Sequence, residues 1–234
     1  MKKSLLSGLF ALLTLAVFAQ NNAKSFKGRP NIPGTFLVEI GVNRALNASD
    51  TFNIGLWGSR SLNLYYQYDI KIPILKGKFS FHPGLGLAME RYKFRDGLTP
   101  AYDANGDLQM QRFGLPVVKS QLIANYLDAP LELRFSTNPD DPSRTFKTAI
   151  GFRPGVRINS FTKVKYEQDG ETKKFKDKQS WNLNDFRYGV YARIGVGNVN
   201  LFGYYNLTTN FKEGEGIQGK DINTLTVGLS LGGF

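Results

Sequence analysis

The sequence predicts an all-β fold, an eight-stranded antiparallel up-and-down transmembrane β-barrel. Three observations predict it: two-residue alternation of apolar side chains in about eight segments, connections that alternate between short and long, and no spanning-length apolar run in the mature chain. A mildly negative mean hydropathy of −0.27 agrees, because only every second residue of such a strand meets lipid.

The first residues read as a leader. Lys2 and Lys3 precede an apolar run from Leu5 to Phe18, and Val17-Phe18-Ala19 offers small-residue spacing for cleavage after Ala19. Expected are a cleaved signal peptide over residues 1–19, a short periplasmic segment over 20–34 and one outer-membrane barrel domain over 35–234.

The strands then follow in order. Thr35 to Asn43 sets Phe36, Val38, Ile40 and Val42 against Leu37, Glu39 and Gly41, a period of two that gives each face its own environment. The pattern returns in Leu62, Leu64, Tyr66, Tyr68 and Ile70, and in Phe79, Phe81, Leu85, Leu87 and Met89. Leu127 to Phe135, Phe146 to Ile158, Phe186 to Ile194 and Val199 to Leu207 continue it, and Leu225, Val227, Leu229 and Leu231 end it. Short links fall at Leu75 to Lys78, Thr137 to Ser143 and Gly197-Asn198. Long links fall at Ala45 to Ser59, Asp96 to Pro116, Ser160 to Ser180 and Asn210 to Lys220. Short periplasmic turns and long outer loops are the habit of outer-membrane barrels.

Aromatic residues are placed to suit. Phe79, Phe81, Phe135 and Phe146 adjoin short turns, Trp57, Phe161, Trp181 and Phe186 lie nearer long loops, and the chain ends on Phe234. Pro83 and Pro154 each remove a ladder donor, which predicts a bulge or a local break at both.

Composition closes several routes to chemistry. With no cysteine, disulfides, thiolate zinc sites, iron–sulfur clusters and thiol nucleophiles are excluded together, and a single histidine, His82, excludes a His-rich metal site. No cofactor, metal or catalytic residue is expected. The net charge of +11 does not point to nucleic acid, to which an exported barrel has no routine access.

Parity turns Glu39, Asp69, Lys71, His82, Glu90, Asp128, Glu132, Arg134, Arg153, Arg157, Arg187 and Arg193 inward. An eight-stranded barrel is just wide enough to be filled by side chains, so these charges are expected to pair as a structural plug. Gly84, Gly86, Gly151, Gly155, Gly189 and Gly195 on the same face read as room for neighbouring Arg and Tyr side chains. His82 falls near the short-turn end, and Ser80 beside it has no orienting carboxylate evident in sequence, so a satisfied interior histidine is the expectation. Lys163 to Lys178 reads as a solvated strand extension or hairpin around Asp169-Gly170. Arg91, Lys93 and Arg95 climb toward the outer end of the third strand, where they are candidate contacts for lipopolysaccharide phosphates.

Several segments also carry a family resemblance. His82-Pro83-Gly84-Leu85-Gly86-Leu87, Tyr126-Leu127-Asp128-Ala129-Pro130-Leu131-Glu132-Leu133, Gly151-Phe152-Arg153-Pro154-Gly155 and the terminal Gly228-Leu229-Ser230-Leu231-Gly232-Gly233-Phe234 resemble the PorT-type outer-membrane β-barrel proteins of the Bacteroidota. The resemblance implies an eight-stranded scaffold and no chemistry. Founding members take part in secretion and gliding machinery, but the N-terminal pattern of the secretion-essential members is absent here.

The functional expectation is a non-enzymatic outer-membrane protein, structural or partner-binding, that serves as an accessory component of an envelope assembly. Its expected partners are outer-membrane lipid, lipopolysaccharide and other outer-membrane or periplasmic proteins. Two alternatives stay open: a lipid-modifying enzyme using Ser160, Ser180, Asp177 and Asp185, and a narrow pore.

Overall fold

The computed structural model describes residues 34–55, 57–74, 76–141 and 144–232. The expected leader, the segment up to residue 33 and the terminal Phe234 lie outside the described residues.

The strands are β1 (Thr35–Leu46), β2 (Arg60–Gln67), β3 (Ile70–Ile72), β4 (Phe79–Phe94), β5 (Leu98–Tyr102), β6 (Leu108–Arg112) and β7 (Val117–Asp128). They continue with β8 (Leu131–Ser136), β9 (Phe146–Gln168), β10 (Glu171–Asp177), β11 (Phe186–Val196), β12 (Val199–Asn206) and β13 (Asn223–Gly232). β2 with β3, and β7 with β8, each form one stave. Eight antiparallel staves therefore run β1, β2/β3, β4, β7/β8, β9, β11, β12, β13. β13 closes back on β1, with Leu37 opposite Gly232 and Leu46 opposite Asn223, so the ring of staves is closed.

Alternation decides which face goes where. Phe36, Ile40, Leu85, Leu87, Ile150, Ile194, Leu201, Val227 and Leu229 stand exposed on the outer wall, while Glu39, Asn63, Gln67, Arg153 and Thr226 are buried inside. An apolar wall around a polar lumen is the inverse of a soluble barrel and matches a lipid surround.

The proline positions show how the ladder is interrupted without a slip. β2 gives way to β3 and β7 to β8 on either side of Pro83, yet the pairs Gln67↔Gly84 and Ile70↔Phe81 keep one register, as do Asp128↔Gly86 and Leu131↔Pro83. Pro154 likewise sits in an unbroken register with Tyr188. Breaks without bulges result. Between β7 and β9 the register shifts elsewhere, at residue 158 of β9, where Tyr126 pairs with Arg157 but Asn125 pairs with Asn159, and again at Val118 of β7 near the long-loop end.

The long loops fold over their end of the barrel. Phe52, Leu108, Trp181, Leu183, Phe211, Ile217 and Ile222 come from all four of them and pack with Tyr92, Phe94 and Leu122 into one buried apolar cluster. Phe52 lies edge-on to Phe94 at 5.1 Å and to Phe211 at 6.1 Å. The expected hairpin around Asp169-Gly170 joins β9 to β10, with both residues at positive φ, as a tight two-residue turn requires. The aromatic expectation divides: Trp57 is 78% exposed, whereas Trp181 is 3% exposed and stacks on Tyr102 within the cap. Trp181 therefore faces no lipid, because its loop turns inward over the barrel mouth.

Candidate functional site

The mid-barrel is a compact charge-balanced layer. Glu39 on β1 accepts from Arg153 at 3.1 Å and Arg193 at 2.8 Å, with Asn63 completing its shell at 3.0 Å. Arg193 reaches Glu132 at 2.9 Å, and Arg134 meets the same carboxylate at 2.7 Å. On the loop side of this group, Arg187 binds Asp128 at 2.7 Å and also pairs with Glu90. Four carboxylates thus meet four guanidiniums, and seven of the eight groups are at most 5% exposed, Arg134 being the exception. Charges taken out of water persist only when paired and hydrogen-bonded in this way.

Tyrosines, which the sequence reading passed over as individuals, supply the rest of the packing. The Arg153 guanidinium lies 4.7 Å from the ring centres of Tyr65, Tyr191 and Tyr204, and Arg187 lies 3.7 Å from that of Tyr126. Tyr65 donates to Asp128 at 2.8 Å and Tyr92 to Glu90 at 2.7 Å. Two glycines make the space: a Cβ on Gly151 would stand 2.4 Å from Tyr191, and one on Gly189 would stand 2.7 Å from Tyr204. The signal was available in principle, since these tyrosines share the inward parity of the arginines, and Tyr65 and Tyr191 sit across the ladder from Gly86 and Gly151.

The ends of the barrel hold the other inward candidates. At the long-loop end Arg157 pairs with Asp185, donates to Ser160 at 2.8 Å and ties down the Leu183 and Asn184 carbonyls. Lys71 is exposed at the short-turn rim, beyond the enclosed layer, because β3 is the last three residues of its stave. It is a rim residue and no member of the buried network.

His82 corrects an expectation. Its Nδ1 lies 2.6 Å from Asp69 Oδ1 and its Nε2 lies 2.7 Å from Ser80 Oγ, so the orienting carboxylate missing from the sequence reading is Asp69. A hairpin folded symmetrically about the 73–78 turn sets Asp69 across from His82, and counting back from that turn would have found it. These groups line a recess of about 190 Å3 at the short-turn mouth, together with Lys71, Arg134, Lys147 and Arg193. Lys71 and Arg134 are the cross-strand neighbours of Ser80 on its two sides.

The loop-borne alternative gathers less. Ser160 donates to the Gln179 carbonyl, Asp177 accepts from Gln179, and Asp185 is held by Arg157. No imidazole stands near them, since the one histidine is at the opposite end. In the cap, Tyr102 donates to Asn182 at 3.0 Å, and partial burial raises its hydroxyl above the usual tyrosine range.

Arg91 and Lys93 lie on the outward face of β4, in line with Leu85, Leu87 and Met89. Arg95 does not extend that row. It follows the end of β4, and its backbone N–H donates to the Asn53 carbonyl.

Residues 18–212 match the family model described as outer membrane protein beta-barrel domain. The chain belongs to this family of outer-membrane β-barrel proteins. The matched region stops short of β13, which nonetheless closes the barrel of this outer-membrane protein. Among solved structures, Ail, the attachment invasion locus protein of Yersinia pestis, aligns at 12% identity over 86% of this chain and 99% of that one, with a TM-score of 0.34. Ail in complex with the heparin analogue sucrose octasulfate aligns at 13% identity over 86% and 99%, with a TM-score of 0.33. The N-terminal β-barrel domain of Pseudomonas aeruginosa OprF aligns at 7% identity over 86% and 97%, with a TM-score of 0.30. No curated protein sequence matches the chain.

Proposed function

We propose that this outer-membrane barrel is a non-conducting, non-enzymatic accessory component of an envelope assembly, of the PorT type, that binds its partner through wall and loops. In this reading residues 1–19 are a cleaved leader, residues 20–34 a short periplasmic segment, the short turns face the periplasm and the long loops face outward. One observation carries it: the lumen is filled twice, by the ion-paired layer around Glu39 and Arg187 and by the apolar loop cap around Phe52. A molecule sealed at two levels has only its outer surfaces to offer. Affinity isolation from detergent-solubilised outer membranes should bring down a stoichiometric partner, and planar bilayers should show no conductance steps. Recovery of the protein alone at native abundance would sink the accessory role, and persistent conductance would restore the pore.

The Ser80–His82–Asp69 alignment favours a second reading, a hydrolase at the short-turn mouth. His82 could take the Ser80 proton while Asp69 fixes the ring, as nucleophilic acyl transfer needs. Against it, Ser80 lies within β4 with ladder partners on both sides, which engages the backbone around it and leaves an oxyanion to side chains such as those of Lys71 and Arg134. Release of p-nitrophenol from short acyl esters by the wild type, abolished in Ser80→Ala, would establish this reading. Equal background rates in both would remove it.

A further inference from the structure

The outer wall carries a second population of charges, outside the barrel network. On β4 the outward parity of Leu85, Leu87 and Met89 continues into Arg91 and Lys93. Across the ladder, Lys93 stands opposite Gln121, Gln121 opposite Lys163, and Lys119 opposite Lys165. One strand further, Lys176 stands opposite Lys163 and Lys174 opposite Lys165. Cross-strand partners project to the same face of a sheet, so Arg91, Lys93, Lys119, Lys163, Lys165, Lys174 and Lys176 form one patch. It covers four neighbouring strands, about 14 Å at the usual spacing of about 4.8 Å. Arg60, opposite Arg91, extends it onto β2.

Glu167 follows Lys165 on the same face of β9, yet no carboxylate pairs with the patch among the described residues. The ion pairs among the described residues engage none of these eight cations. Like charges set directly opposite one another destabilise a ladder, yet Lys119 faces Lys165, Lys165 faces Lys174, and Lys163 faces Lys176. Partial burial, with the positive charges of Lys93, Lys165, Arg91 and Lys163, pushes the Lys119 ammonium below its usual range. The bulge at residue 158 also bears on aim. Before it the even-numbered Phe152 and Val156 face outward, and after it the odd-numbered Phe161, Lys163 and Lys165 do. Without that extra residue both lysines would point into the barrel.

Height completes the picture. From Phe79 to Met89 the outward side of β4 carries apolar side chains or Pro83. The ten steps between them, at about 3.4 Å each and tilted by about 40°, rise roughly 26 Å, which matches an apolar band of about 25 Å. Arg91 is therefore the first outward residue beyond the hydrocarbon at the long-loop end. At the level of Arg91 and just below it, Met89, Ile158 and Phe161 are outward apolar side chains, with Asn125 and Asn159 set between them, and Lys176 lies 3.8 Å from the Phe161 ring centre.

We propose that this face binds the phosphates of an outer-leaflet phosphorylated glycolipid of the lipid A type, its acyl chains lying along the apolar wall beneath. Cations contiguous with a lipid-height apolar surface fit an amphiphile better than a soluble polyanion. The inference rests on the orientation given above, long loops outward, and is independent of the accessory role, so a failed partner capture leaves it standing.

The test uses the purified full chain in zwitterionic detergent, with bound lipid counted by native mass spectrometry. Bisphosphorylated lipid A is expected to bind at least about tenfold more tightly than the same lipid after phosphatase treatment. K93Q/K119Q/K163Q/K165Q should weaken that binding by about tenfold or more. K76Q/K78Q/K212Q/K220Q, an equal change of charge elsewhere, should bind as the wild type does. Heat-modifiable mobility on gels reports folding of each variant, and K93Q/K163Q replaces the fourfold variant if that one fails to fold. Unchanged binding by the patch variant, equal loss in the control variant, indifference to phosphate removal, or displacement of lipid A by dextran sulfate at matched charge would each overturn the proposal.

Discussion

The cations inside the barrel and those on its outer wall obey opposite rules. Inside, the charge is carried by arginine: Arg134, Arg153, Arg187 and Arg193 each have a carboxylate in reach. Outside, at the long-loop end, six of the eight patch residues that face away from the lumen on β2, β4, β7, β9 and β10 are lysines, and none has one. The planar guanidinium binds two acceptors at fixed angles and stacks on tyrosine, which suits a dry, enclosed layer. The ammonium is a compact, strongly hydrated charge that holds no fixed geometry and suits a wet surface awaiting an anion. Pairing inside is a condition of folding. Outside, its absence is the property available for binding.

The largest expected effect tests the inner rule. Glu39→Leu strands Arg153 and Arg193 beside an apolar side chain, and should cost about 3–5 kcal/mol in urea unfolding of the detergent-solubilised barrel. Replacing Arg153 by leucine as well should recover a large part of that loss. A single-variant cost under about 1 kcal/mol would mean that the layer is hydrated and that the contrast between the two populations is false.

Next comes the loop cap, which separates the two populations along the barrel axis. Phe52→Ala opens a hole among Phe94, Tyr92 and Phe211 and should cost about 3 kcal/mol. Proteolysis at the long loops should accelerate, while planar bilayers should remain silent because the ion-paired layer below still blocks the lumen. Conductance in this variant would show that the cap alone is the seal.

On the outer wall the expected stability effects are small and of opposite sign. Lys163→Gln with Lys165→Gln removes three like-charge cross-strand contacts and should change stability by no more than about 0.5 kcal/mol, toward greater stability. A clear destabilisation would reveal a structural partner for these lysines.

The smallest effect is a titration. The folded chain holds the Lys119 proton more weakly than an unfolded chain does, so this site favours folding above the ordinary lysine range and loses that contribution as pH falls through its folded value. At neutral pH the charged ammonium is a net cost. Isotope-labelled dimethyl-lysine NMR should follow this shift, and lipid A should reverse it by supplying negative charge.

Much of the molecule was legible because a barrel strand writes its environment into every second residue. Alternation separated Phe36 and Ile40 from Leu37 and Glu39, and the link lengths gave the two ends different characters. Parity also brought Glu39, Glu132, Arg153, Arg187 and Arg193 to one face. It could not say which acid meets which base, since partners such as Glu39 and Arg193 lie across the lumen and far apart in the chain.

The sequence by itself determined the class of fold, the face each strand residue takes and the absence of cysteine chemistry, because these follow from local periodicity and composition. Only the tertiary structure decided three further matters. Asp69 joins His82 and Ser80 because a hairpin register sets the distances across its turn. Trp181 turns inward because four loops from distant parts of the chain share one apolar cluster. Lys163 and Lys165 face outward beside Lys93 and Lys119 because one bulged residue in β9 shifts the parity, and a period of two carries no memory across such a shift.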